Sequence, residues 1–243
     1  MAIAAHNLAK LYIDKYDFTG QINSQDLKIM ADMLENTVYG ADTRSNKAGL
    51  VSADVTHSGF IQLGVGNIED ILFGNVGVTG KIVSLIPEGA TEGNIAYSIQ
   101  SIASGFSQSG KVGDLLAFNF AATSHDKVVR GTVGAIGAKT TTTFGTARNL
   151  GLVGATQKLY GILHITAVSG TNPTLDVIIR SDALVGMGSP TTRITFTQAT
   201  AITSQWATPV SGAIADDLWW QIGWTIGGTN TPSFTIMVAI AIL

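Results

Sequence analysis

Cysteine is absent from the 243 residues, so no disulfide can staple the fold and no thiolate can hold a metal. Charge is scarce too: Asp, Glu, Lys and Arg make up 13% of the chain against 45% hydrophobic residues, with a mean hydropathy of +0.30. That is roughly half the usual charged share of a soluble protein. Much of the surface must then be Thr, Ser, Asn, Gln, Gly or apolar side chains, and a chain so thinly covered is expected to hide surface against other chains. No run of 18 or more apolar residues occurs, and the first residues lack a basic segment followed by an apolar one. These absences read as a soluble, unsecreted chain with no membrane partner. A net charge of −3 argues against a nucleic-acid binder.

The groupings that carry chemistry are missing as well. His6, His57, His125 and His164 stand singly, without the HxH, HxxxH or HExxH spacing that a zinc site needs. "GNVGVTGK" misses the Gly-x-x-x-x-Gly-Lys spacing of a phosphate loop by one residue and has Ile82 where the hydroxyl belongs, so its glycines read as turns and bulges. Ser107 and Ser109 lack the Gly-x-Ser-x-Gly arrangement of a nucleophile elbow. Glu69-Asp70 and Asp216-Asp217 are adjacent pairs, which point to opposite faces of a strand or cap a turn rather than converge. No acid, base and nucleophile come together, so neither enzyme activity nor a cofactor is expected.

What is present is strand after strand. Apart from "TEGNIAYSIQSIASG" (91–105), which could hold a helical turn, the apolar segments are short, β-branched and bounded by Gly, Asn, Asp, Ser or Thr. Strands are expected at 8–15, 22–30, 52–64 and 79–87, with a hairpin over 113–137 turning at "TSHDK". The Thr-rich stretch 138–150 reads as a connector between a domain at 1–137 and a second one at 151–243. The latter has six strand-like segments at the close spacing of a sandwich. In "WWQIGW", Trp220, Ile222 and Trp224 share one face and are assigned to the core, which leaves Trp219 as the candidate exposed aromatic, a platform for sugar or receptor. Residues 1–137 carry 13 acidic and 9 basic side chains against 4 and 5 in 138–243, so the acidity belongs to the first domain.

Between two of the expected strands lies "ADMLENTVYGADTRSNKAGL" (31–50), too long and too charged for a hairpin turn. It mixes Asp32, Glu35, Asp42, Arg44 and Lys47 with apolar Met33, Leu34, Val38 and Tyr39. A solvated loop has no need of the apolar set, and a buried element could not carry the charges unpaired. A long loop packed against a neighbouring subunit satisfies both, which makes Met33, Leu34, Glu35, Val38, Tyr39, Asp42, Arg44 and Lys47 the candidate assembly residues.

The stretch "DFTGQINSQDLKIMADMLENTVYGADTRSNKAGLVSADVTHSGF" (17–60) resembles the N-terminal part of tailed-bacteriophage tail tube proteins. It has an Asp-x-Thr-Gly turn between strands, a loop closing at Ala48-Gly49-Leu50 and a strand ending in Ser58-Gly59-Phe60. "VGDLLAFNFAATSHDKVVRGTV" (112–133) is similar to a later hairpin of the same family, so the likeness spans 8–137. The resemblance implies an all-β chain: an N-terminal sandwich or half-barrel with a long loop, followed by a jelly-roll or immunoglobulin-like sandwich facing outward. It implies homo-oligomeric rings, commonly hexamers, stacking through the long loop into a tail tube in the virion, beside other virion proteins and assembled in the host cytoplasm. DNA would pass through the lumen without specific binding, and an acidic wall suits that because phosphate finds no cations to exchange for its counterions. A capsid decoration or head-to-tail protein is the alternative within the structural class, and a carbohydrate- or receptor-binding module using Trp219 the alternative outside it.

Overall fold

The computed structural model describes residues 8–40, 42–64 and 66–243; His6 lies outside them. The fold is all-β, as expected, with a single helix among the described residues. In chain order the first elements are β1 (Lys10–Ile13), β2 (Tyr16–Asp17), β3 (Ile22–Glu35), β4 (Asn46–Phe60) and α1 (Ile68–Asn75). Next come β5 (Lys81–Ile86), β6 (Ile95–Ser109), β7 (Ala117–Ser124), β8 (Val129–Lys139), β9 (Thr143–Phe144) and β10 (Arg148–Asn149). The last are β11 (Lys158–Asp182), β12 (Thr191–Thr195), β13 (Thr203–Trp206), β14 (Val210–Ser211) and β15 (Trp219–Ile242). Among the described residues no helix is long and apolar enough to cross a membrane.

Contacts gather these elements into two units. One comprises the chain through Thr19, Ile82–Ser98 and Val129–Leu243; the other is Gly20–Lys81 with Ile99–Val128. The stretch 138–150 is therefore not the connector that its threonines suggested. β9 and β10 pair with β15, Trp224 Nε1 donates to Thr141 O (2.9 Å), and the Arg180 guanidinium stacks 3.5 Å from the centre of the Phe144 ring. Pairings only two residues long leave no periodicity to read.

In the first unit, β11 and β15 run antiparallel from Leu159↔Ile242 to Asp182↔Trp219. The sequence suggested four strands here. There are two, each bent once in the middle, where the register slips between Ser169 and Thr174. Gly170, Asn172, Gly228, Asn230 and Thr231 all adopt positive φ at the bend. The side chains of both arms join one core: Leu163 and Ile165 from one, Val177 and Ile179 from the other, closed by Trp220, Ile222, Trp224 and Phe234. A sandwich thus arises from one ribbon folded on itself. Gly170 has φ +103°, and a Cβ there would stand 2.7 Å from Pro232 Cα. Gly170→Ala is accordingly expected to destabilise by about 1–3 kcal/mol, seen as a lower urea midpoint at unchanged slope.

The opposite face of the same sheet carries a second core of Tyr12, Ile82, Ile86, Val133, Tyr160, Ile162 and Met237. Sheet order runs β11-β15-β8-β6-β5-β1-β2, and the far end curls back on β11. His164 Nδ1 bonds to the backbone oxygen of Asp14, Ser204 Oγ donates to the Asp14 carboxylate, and the Tyr12 and His164 ring centres lie 5.6 Å apart.

Three further expectations change. Residues 95–109 form strand β6 rather than a helical turn. β7 and β8 do not pair as a hairpin; each is antiparallel to a different stretch of β6. Glu69 and Asp70, expected on a strand or in a turn, lie instead in the first turn of α1, where the helix dipole favours them, and α1 buries Ile68 and Leu72 at i,i+4 just before the glycines read as turns, of which Gly77 and Gly80 have positive φ.

Candidate functional site

In the second unit the sheet order is β3-β4-β7-β6. β4 alternates burial from Ala53 onward, with Ala53, Val55, His57 and Gly59 turned inward beside Phe118 and Phe120 of β7. That alternation ends where the third strand ends. β7 stops at Ser124, whose Oγ accepts the Ala53 N–H (2.9 Å), and pairing to β4 reaches no further than Asp54. Beyond it β3 and β4 continue alone as a two-stranded ribbon through Ala31↔Val51, Met33↔Ala48 and Glu35↔Asn46.

Residues 31–50 are therefore not the loop expected from the sequence, because Met33, Leu34 and Glu35 lie in β3 and Lys47 in β4. Val38, Tyr39, Asp42 and Arg44 belong to the tip, Gly40 supplying a positive φ of 87° for the turn. The tip is organised by its own polar groups. Asn36 N donates to Ser45 O (2.9 Å), Ser45 N to Thr37 Oγ1 (3.0 Å) and Thr37 Oγ1 to Glu35 Oε1 (3.0 Å). The Arg44–Glu35 pair, 3.9 Å apart with both ends in solvent, adds little.

Met33, Leu34, Val38, Leu50 and Val51 are between 59% and 82% exposed, and Tyr39 is fully so. Met33 and Leu34 are strand neighbours, as are Leu50 and Val51, so they point to opposite faces and leave the ribbon apolar on both. Among the described residues β3 pairs only with β4, which leaves its outer edge unpaired. A two-stranded ribbon is marginal in water, and packing against one body would cover one face only. The arrangement can therefore bind by burying side chains on two faces and by adding a strand at the β3 edge.

The other candidates are accounted for in place. Trp219 is half-buried in the sheet, opposite Asn149 of β10 on one side and Asp182 of β11 on the other. Asp217 sits by Ser181 and accepts from Arg193 Nη2 (2.8 Å); burial pushes its pKa up, but these partners outweigh burial and hold it below the usual value. Asp182 is held low by the backbone N–H groups of Ser189 and Leu184. Among the described residues no cluster of His, Asp and Glu could hold a metal.

A serine–histidine pair that the sequence concealed does exist. Ser84 Oγ lies 2.8 Å from His164 Nε2 and 2.7 Å from Ser98 Oγ. Nδ1–H donating to the Asp14 carbonyl leaves Nε2 to accept from Ser84, which in turn accepts from Ser98. All three side chains are buried, so no substrate reaches the hydroxyl, and the network works as a clip across the first unit. His57 is the opposite case, buried with both ring nitrogens unpartnered. Burial lowers both histidines to about 4.

No family model and no curated protein matches the chain. Among solved structures it is similar to a chain from the tail of an empty gene transfer agent particle with C6 symmetry (14% identity, 52% of this chain and 97% of that one, TM-score 0.39). A chain of the sheath–tube complex of an extracellular contractile injection system matches at 12% identity over 54% of this chain and 93% of that one, TM-score 0.43. The SPP1 Dit protein, described as a hub adsorption apparatus of phages infecting Gram-positive hosts, matches at 12% identity over 97% and 99%, TM-score 0.36. Likenesses this distant carry no argument about what the chain does.

Proposed function

We propose that this chain is a virion structural protein of a tailed phage that assembles with copies of itself into stacked rings of a tail tube, the ribbon at 31–51 being its assembly element. One observation carries the reading: a ribbon apolar on both faces, with an open strand edge, stands uncovered on the single chain. Lateral strand addition at β3 and burial of the ribbon in a neighbour would satisfy both demands. The sequence resemblance to tail tube proteins over 8–137 supplies the rings, six-fold as that family implies, and the passage of DNA through a lumen. The surplus of acidic side chains in 1–137, 13 against 9 basic, suits a wall that does not grip phosphate.

The test shortens the ribbon without touching the sheet below it. Replacing residues 33–48 by Asn-Gly, a two-residue hairpin turn, keeps the rungs from Ala31↔Val51 downward. Wild-type protein at high concentration is expected to form long tubes with a regular axial repeat in negative-stain micrographs. The shortened protein is expected to keep its β-type circular dichroism and thermal midpoint yet form none. Tubes of normal length from the shortened protein would remove the ribbon's role, and wild-type protein that stays monomeric at every concentration would remove the tube reading.

A further inference from the structure

Within the first unit, β8 and β15 part at one end of their ladder, whose last rung is Thr132↔Ile240. Beyond it β8 keeps to β6 as far as Val129↔Ser98, while β15 keeps to β11 as far as Leu159↔Ile242. The gap is a cleft of about 210 Å³ with largely apolar walls. Ile240 belongs to the core that joins the two arms of the bent ribbon, Ile242 and Leu150 pack against that core, and Ile95 adds the start of β6. Gly131 lets the two backbones meet where the cleft closes, since a Cβ there would run into Ile240 O. Two polar side chains interrupt the apolar lining. Both come from β8, and being two residues apart, about 7 Å at strand rise, they share one face of it. Thr132 Oγ1 is buried and has no hydrogen-bond partner among the described residues. Arg130 stands exposed at the mouth, and among the described residues no carboxylate pairs with it. Arg148, two residues before Leu150, is by contrast already paired with Glu92 Oε2 (3.8 Å).

We propose that this cleft binds a small amphiphilic anion, a short acyl chain ended by a carboxylate, with the hydrocarbon against Ile95, Leu150, Ile240 and Ile242 and the carboxylate between Arg130 and Thr132. Each part of the ligand answers an observation. The volume lies below the roughly 300–1,000 Å³ of sites for drug-sized ligands, which limits the hydrocarbon to a few carbons. Apolar walls alone would take any small hydrocarbon. A buried hydroxyl without an acceptor and an unpaired guanidinium on the same face both call for an anion, because the first recovers its lost hydrogen bond and the second gains a charge-assisted one. A carboxylate accepts from both, and the planar fork of arginine matches its two oxygens.

Isothermal titration of the full chain with sodium hexanoate tests the proposal. Saturable binding at one site per chain is expected, with hexan-1-ol at least about tenfold weaker, for want of the charge, and acetate silent, for want of the hydrocarbon. Arg130→Gln is expected to weaken hexanoate at least about tenfold and to leave hexan-1-ol unchanged. Thr132→Val replaces the hydroxyl by a methyl of the same shape and is expected to weaken hexanoate about threefold or more. Both variants are expected to keep the wild-type thermal midpoint, since Arg130 is exposed and unpaired and the valine removes a buried hydroxyl that has no partner. Hexanoate that fails to saturate would overturn the site, and so would binding that neither substitution changes. Equal affinity for hexan-1-ol would overturn the anion. N-acetyl-leucine presents the same carboxylate at the end of a peptide, and tighter binding of it than of hexanoate would overturn the acyl chain as occupant in favour of a polypeptide terminus.

Discussion

Trp220→Ala is expected to remove about 3–5 kcal/mol of folding free energy, while Trp219→Ala, one residue away, costs roughly 1 kcal/mol. Trp220 is 1% exposed in the core shared by both arms of the bent ribbon, and its indole N–H donates to Gly151 O (2.8 Å). Truncation would open a cavity lined by aliphatic side chains and orphan a carbonyl that holds the segment 138–150 against β15. Trp219 points to the other face and is half-buried. Urea unfolding of both variants reads the contrast. Equal losses would mean that the alternation across residues 219–224 does not set which face is core.

That alternation was the most legible feature of the sequence. Trp220, Ile222 and Trp224 were assigned to the core by period two alone, and they are buried. The all-β class followed equally from short β-branched segments bounded by turn residues. The bend in β11 and β15 was hidden for a physical reason. "SGTNPT" and "GGTNTPS" contain the residues that end strands elsewhere, but here two such segments lie opposite each other in one ribbon, so the strands bend together instead of stopping. α1 was missed because its eight residues, among glycines, give barely two turns of periodicity.

The ribbon was legible by composition and not by conformation. A strand exposed on both faces shows no burial alternation, so "ADMLENTV" reads as loop by every periodic test. Met33, Leu34, Val38 and Tyr39, singled out there by composition, are exposed on the single chain. Long-range clusters escaped altogether. His164 and Ser84 are 80 residues apart and Ser204 and Asp14 are 190 apart, so nothing local joins them.

Lowering the pH from 7 to 4 is expected to strip several kcal/mol from the folded chain through two buried histidines, ahead of any loss at Asp182 and Asp217. His57 and His164 both have folded pKa values of about 4 against an ordinary 6.5, in each case because burial disfavours the cation. The unfolded chain takes up these protons as pH falls below 6.5 while the folded chain refuses them. Stability is therefore complete above pH 6.5 and lost progressively down to about 4, with each histidine contributing up to about 3 kcal/mol at 1.36 kcal/mol per pH unit. Asp182 and Asp217, depressed by their partners, lose their contribution only as pH falls below the usual carboxylate value, in a lower window. The two histidines separate by substitution. His57 has no hydrogen bond to lose, so His57→Leu is expected to leave stability at pH 7 within about 1 kcal/mol and to halve the loss between pH 6.5 and 4. His164→Leu removes the clip from Ser84 to Asp14 and is expected to destabilise already at pH 7, with the acid slope halved as well. Urea midpoints taken every half pH unit test both. If His57→Leu kept the full acid slope, the buried, unpartnered imidazole of β4 would not be what makes folding proton-sensitive.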